Sequence, residues 1–179
     1  MTDWSQVVRE HGPIVWRTAY RILDNEADAA DCFQNTFVSA FSLSLKDTIT
    51  NWPGLLKRLA TARALDCLRR RYRESRRFGT LAEVNGAVQA GVEPSHEAEA
   101  AELAELLREA LADLDARQAE VFCLYSLEGF DYRQIADRLD VTVNHVGVLL
   151  SRARRQLRES LRTYAPSPVS NRDIRETRE

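Results

Sequence analysis

The chain has 179 residues, 44% of them hydrophobic and 29% charged, with 7 Gly, 5 Pro, 3 Cys and a net charge of −2. That hydrophobic share over that length supports a packed core, in one domain or two small ones, and excludes a chain disordered throughout. The near-neutral balance excludes a uniformly basic nucleic-acid binder, so any contact with DNA has to come from local patches.

Few glycines and prolines, abundant Ala, Leu, Glu and Arg, and no Val/Ile/Thr run with period-two alternation predict an all-α fold. Val8, Val15, Trp16, Ala19 and Ile22 recur at helical spacing and predict a first helix ending at Asp24. A second helix is expected from Asn25, with Asn25 and Asp28 in capping-box positions. Its Ala30, Phe33, Phe37, Ala40 and Phe41 form an apolar stripe. After a connection over 42–52, Trp52-Pro53 predicts the start of a third helix, where proline suits the first turn. That helix buries Leu55, Leu56, Leu59, Ala62, Leu65 and Leu68 and exposes its arginines.

Gly79, Gly86, Gly91 and Pro94 lie among small residues with no sustained stripe, which predicts a linker over 79–95. Four more helices follow, from about Ser95 to Leu111, Ala116 to Leu127, Tyr132 to Leu139, and Val143 to Arg162. The tail from Pro166 to Glu179 is polar and contains proline, and is expected to fray. The predicted fold class is therefore all-α, two small helical domains (1–78 and 96–165) joined by a flexible acidic linker, with a tail over 166–179.

Charge is segregated along this plan. Lys57 to Arg77 carries nine cations against two anions, Glu83 to Glu120 ten carboxylates against two arginines, and Arg133 to Arg162 seven arginines against three acids. Two basic units flank an acidic one.

The chemistry lies in the last two helices. Ile135, Ala136 and Leu139 pack the shorter one inward, Val141 fills the turn, and Val146 and Leu150 give the longer one its buried side. Asn144, His145, Gly147 and Val148 are left at the exposed start of a helix that Thr142 is placed to cap. This is the pattern of a DNA-binding helix-turn-helix, with Arg152, Arg154, Arg155 and Arg158 following where phosphates would lie. The three cysteines, Cys32, Cys67 and Cys123, sit in apolar contexts without metal-ligand spacing, so neither a zinc site nor a disulfide framework is expected. No Gly-rich phosphate loop or activated nucleophile is present, so no catalytic residue, metal, cofactor or small-molecule ligand is predicted and the chain is not expected to be an enzyme. The absence of a signal-like N-terminus or an apolar run of membrane length predicts a cytoplasmic protein.

The run from Leu114 to Phe122 and on through Ser151-Arg-Ala-Arg-Arg-Gln-Leu resembles region 4 of the extracytoplasmic-function (ECF) sigma factors. The N-terminal part resembles region 2 of the same family, in Tyr20 to Phe37 and in Ala64-Leu65-Asp66 followed by Leu68-Arg69-Arg70-Arg71. The resemblance covers roughly Val7 to Leu161. It implies an alternative sigma factor that binds core RNA polymerase and promoter DNA, with an anti-sigma factor as a common further partner. By the same resemblance the −35 element would be read through Arg133, Gln134, Thr142, Asn144, His145, Gly147, Val148, Ser151, Arg152, Arg154 and Arg155. The −10 element would meet Asn51, Trp52, Arg58, Ala62, Arg63, Asp66, Arg69, Arg70 and Arg73, and the polymerase would meet Asp31, Gln34, Asn35 and Phe37. A flipped base would find its pocket in the 42–52 connection. The sequence departs from the family pattern at Ala62, Leu55 and Asn35, and at Gly147 and Leu149, where Lys and Arg are frequent. The rival reading is a free-standing helix-turn-helix regulator with an N-terminal signalling domain. Neither the Asp31 to Phe37 run nor the arginine-rich third helix is needed by such a protein.

Overall fold

Asp3 starts the first helix by accepting the backbone N–H of Gln6 at 3.1 Å, and α1 runs over Trp4–Leu23. It stops at Asp24, which adopts a left-handed φ of 48° and returns its N–H to the Tyr20 carbonyl at 2.8 Å. Asn25 then caps α2 (Glu26–Ser44) by accepting from Asp28 N–H. Asn51, whose side chain accepts from Gly54 N–H at 2.9 Å, opens α3 (Trp52–Phe78). The computed structural model describes residues 2–78 and 96–162. The linker expected over 79–95 and the tail expected from Pro166 lie outside the described residues, within which every regular element is a helix.

The second group comprises α4 (His96–Asp113), α5 (Ala116–Ser126), α6 (Tyr132–Leu139) and α7 (Val143–Arg162). The sequence-predicted helices recur with ends shifted by no more than about two residues, the usual fraying of helix limits. Asp115 caps α5, and a reciprocal box of Asp131 and Gln134 caps α6. Between α5 and α6 the chain reverses through Gly129 at φ 72°. No atom crowds that glycine, so the backbone angle alone selects it.

Two of the cores sit one in each half. Val7, Val15, Phe37, Ala40, Leu56 and Ala60 close the far end of α1–α3, with Trp4 and Trp52 packed edge-on at 5.3 Å. Val121, Leu124, Ile135, Leu139, Val146, Leu149 and Leu150 close α5–α7. The third core joins the halves: Ala19, Ile22, Leu23, Leu65 and Leu68 meet Leu111, Leu114, Ala119, Cys123 and Leu157 in one buried cluster.

Polar pairs rim that junction. Arg76 grips Asp113 through both guanidinium nitrogens, at 2.6 and 2.7 Å, and also meets Glu109. Arg108 lies 2.5 Å from Asp24, the residue that ends α1. Tyr72 donates to Glu105 and Arg21 donates to the Leu127 carbonyl. The acidic α4 thus neutralises part of the arginine-rich α3.

All three cysteines are free thiols. Burial raises Cys32 to about 11 and Cys123 to about 12, and it also raises Cys67. Burial thus favours the neutral thiol at all three.

Candidate nucleic-acid interface

The joint between α6 and α7 is three residues long. Leu139 is followed by Asp140 at φ 52°, which turns the chain while its N–H closes on the Ala136 carbonyl. Thr142 Oγ1 then accepts the backbone N–H of His145 at 3.2 Å. Capped in this way, α7 presents a fixed N-terminal turn, and Ile135, Val146 and Leu150, all fully buried, lock the crossing of the two helices.

Asn144, His145, Val148, Ser151, Arg152 and Arg155 are exposed, and Gly147 is half-buried. A groove of about 660 Å³ runs along this face, lined by Tyr132, Val143, Asn144, Gly147, Val148, Ser151, Arg152 and Arg155. Arg133 is exposed at the start of α6, whereas the Gln134 side chain folds back to accept Asp131 N–H at 3.1 Å. Arg154 does not line this groove. Its guanidinium lies 5.1 Å from the Tyr125 ring centre, and it borders a second, apolar groove with Leu107, Phe122, Leu157 and Arg158.

Leu149 is only 6% exposed and belongs to the core of α5–α7. It therefore removes no cation from the exposed face. Tyr132, not singled out from the sequence, lines the same groove from α6. Its signal was the position itself, the first residue of the helix that crosses α7 at Gly147.

On α3 the arginines point in different directions. Arg63 is exposed and donates to Ser39 Oγ at 2.9 Å, and Arg70 and Arg73 are exposed. Arg69 pairs with Asp66 at 3.3 Å, with a side chain only 17% exposed. Arg71 turns inward, donating to the Leu23 carbonyl at 3.2 Å and lying 3.3 Å from Asp28, so it caps the end of α1. Trp52 also turns inward against Trp4, which removes its ring from base stacking. Ala62 is half-buried.

Thr48, Ile49, Thr50, Asn51, Leu55 and Arg58 line a depression of about 340 Å³ whose opposite wall is Asp137 and Arg138 of α6. A Cβ on Gly54 would collide with the Arg138 guanidinium and press on the Asn51 side chain. The loop expected to receive a flipped base is therefore roofed by the other half of the protein.

On α2, Asp31, Gln34 and Asn35 are exposed. Phe37, grouped with them from the sequence, instead faces the core at 9% exposure, with its ring 5.0 Å from Phe33. The helical phase explains it, since Phe37 lies four residues beyond Phe33 on the buried stripe. The exposed large apolar residues of that helix are Val38 and Phe41. Among the described residues no cluster of His, Cys, Asp or Glu could hold a metal, and no helix is long and apolar enough to cross a membrane.

Two family models match the chain in this order, Sigma-70 region 2 over residues 7–74 and Sigma-70 region 4 over residues 104–157. The ECF RNA polymerase sigma factor SigE of Mycolicibacterium smegmatis is 33% identical over 168 residues, which is 92% of this chain and 64% of that protein. The chain is an ECF member of the sigma-70 family. It spans about 64% of the length of this relative. In fold it is similar to the sigma factor RpoE of Bartonella quintana, solved in complex with the anti-sigma factor NepR. The TM-score is 0.52 at 20% identity, covering 90% of this chain and 98% of that one. The helices α1–α3 thus correspond to region 2, and α4–α7 to region 4.

Proposed function

We propose that this sigma factor binds core RNA polymerase in the cytoplasm and directs it to a set of promoters, with region 4 reading the −35 element as duplex and region 2 holding the −10 element. The observation that carries this reading is the face of α7, where a capped helix N-terminus carrying exposed His145 adjoins a groove lined by Asn144, Arg152 and Arg155. A recognition helix entering the major groove needs that combination, base-reading groups flanked by phosphate-binding cations. Arg133, Ser151 and Gln134 border the same duplex, and Thr142 acts by fixing the helix end. Arg58, Arg63, Arg69, Arg70 and Arg73 supply the phosphate-binding charge of region 2, with Asn51, Ala62 and Asp66 beside it. Exposed Asp31, Gln34 and Asn35 meet the polymerase, and Phe37 holds their helix in place. The role is recognition, and catalysis stays with the polymerase.

The domain limits follow the same division: region 2 over 1–78, a linker over 79–95, region 4 over 96–165 and a tail over 166–179. An anti-sigma factor is a further partner by analogy with the RpoE–NepR pair. Co-purification with core polymerase, followed by run-off transcription from promoters selected by the reconstituted holoenzyme, tests the proposal. Specific DNA binding by the chain alone, with no affinity for polymerase, would instead establish a free-standing regulator.

A further inference from the structure

The face of α7 that reads DNA contains more than cations and amides. Val143 and Val148 are 44% and 39% exposed on it. The Tyr132 ring lies beside them in the same groove, braced from behind by Tyr125 in an edge-on contact at 5.5 Å. Gly147 lines the groove without a side chain, and a Cβ there would reach van der Waals contact with the Tyr132 ring, at 3.6 Å. Glycine inside a helix is unfavourable relative to alanine, so the open groove is held against the preference of the backbone.

An apolar patch on a major-groove reader has one matching partner. The base-pair edges there present hydrogen-bond donors and acceptors, the small C5–H of cytosine, and one bulky apolar group, the 5-methyl of thymine. We propose that Tyr132, with Val143 and Val148, forms a receptor for a thymine methyl group in the −35 duplex, and that Gly147 is the opening through which the base edge enters. Tyr132 is then a specificity-determining residue supplied by α6 rather than by the recognition helix. This rests on the assignment of α7 to the −35 element. Asn144 and Arg152, on the same groove, supply the hydrogen bonds that position the base pair, while the methyl contact discriminates thymine from cytosine.

The test uses holoenzyme and −35 duplexes selected from a random library. Each thymine is replaced in turn by deoxyuridine, which keeps every hydrogen-bonding group and lacks only the methyl. Deoxyuridine at one position, or at two adjacent ones, is expected to weaken binding about fourfold per methyl, the effect of withdrawing one buried methyl group from an apolar contact. Tyr132→Ala should bind the thymine and deoxyuridine duplexes equally, and Tyr132→Phe should keep the discrimination. Gly147→Lys, which fills the groove from a half-buried position outside the core clusters, should erase the discrimination while raising overall affinity at low salt. Selected duplexes without thymine, tight binding indifferent to deoxyuridine, or a penalty that survives both Tyr132→Ala and Gly147→Lys would overturn the methyl receptor and leave the −35 assignment standing. Failure to select any −35 duplex would overturn that assignment and the receptor with it.

Discussion

Lys57 of region 2 stands 3.3 Å from the carboxylate of Glu128 in region 4 and also donates to the Glu128 backbone carbonyl at 3.2 Å. The Glu128 side chain is 5% exposed, and Arg21 lies 3.8 Å from its other oxygen. A nearly buried carboxylate is thus shared by two cations from the opposite half. Removing one partner of a fully buried pair costs about 3–5 kcal/mol. Here Arg21 and Lys57 remain 41% and 21% exposed, so they recover solvent when left alone. Glu128→Ala should therefore cost about 1–3 kcal/mol in urea unfolding. A loss below about 0.5 kcal/mol would mean that the apolar junction holds the halves together without it.

Glu120 of α5 is a carboxylate in a different position. Its side chain is 14% exposed, with Arg117 at 3.8 Å. Burial raises its pKa above the usual 4.5, with Arg117, Arg58 and Arg69 working in the opposite direction. A carboxyl whose folded pKa exceeds its unfolded value adds stability when protonated. That contribution is complete below the unfolded pKa and is lost as pH rises through the folded one. Ionised Glu120 is accordingly a cost at neutral pH. Glu120→Gln should raise Tm at pH 7, with the gain shrinking toward zero as pH falls to 4. A glutamine variant less stable than its parent at pH 7 would show that the arginines outweigh burial.

Within one arginine run, Arg71 and Arg73 should behave as opposites. Arg71 ties α3 to the Leu23 carbonyl and to Asp28, so Arg71→Ala should cost about 1–2 kcal/mol of stability. Arg73 is exposed and borders a depression with Arg76 and Arg77. Arg73→Ala should leave stability within about 0.5 kcal/mol and lower the affinity of holoenzyme for −10 DNA. Chemical denaturation and promoter binding, measured on both variants, separate the two roles. Matching losses of stability would refute the distinction.

That difference marks how far the sequence could be read. Helices, caps and the turn at Asp140 were legible because they depend on neighbours three or four residues away. Composition marked Arg69 to Arg73 as one basic patch, and only the helical phase separates its members: Arg71 lies three residues beyond Leu68, on the buried side. The same phase places Leu149 three residues after Val146, in the core. What local pattern could not supply is the junction of the halves. The contacts between Arg76 and Asp113, and between Lys57 and Glu128, join residues 37 and 71 positions apart. The roofing of the 48–58 depression by Arg138 follows from that junction.

The α7 groove brings the cations Arg152 and Arg155 together with the amide of Asn144. Arg155 lines it, whereas Arg154, grouped with it from the sequence, lies against Tyr125. Arg155→Ala should weaken holoenzyme binding across all −35 sequences and reduce the salt slope by about 1. Asn144→Ala should mainly relax base preference, and Arg154→Ala should change the slope less than Arg155→Ala does. Titrations over a salt series on matched and mismatched duplexes measure all three. A larger slope change for Arg154→Ala would return the phosphate contact to that residue.

The closed junction bears on how both elements are held at once. The −35 and −10 elements lie about 25 base pairs apart, roughly 85 Å along the duplex at about 3.4 Å per base pair. A compact body of the size of the described residues, 2–78 and 96–162, has a radius of gyration of about 15 Å, so two halves sharing one buried core would not reach both sites. Region 4 also roofs the loop through which region 2 would take a base. On the proposed assignment, engagement of both elements would require Leu111, Leu114 and Leu157 to withdraw from Ile22, Leu65 and Leu68. Fluorophores at Glu10 of α1 and Glu159 of α7, both exposed, should report a longer distance in the holoenzyme on promoter DNA than in the free protein. Because removal of Glu128 weakens the junction, Glu128→Ala should shift the free protein part of the way toward the long distance. An unchanged distance on promoter binding would mean that this sigma factor holds its two halves together and contacts only one element at a time.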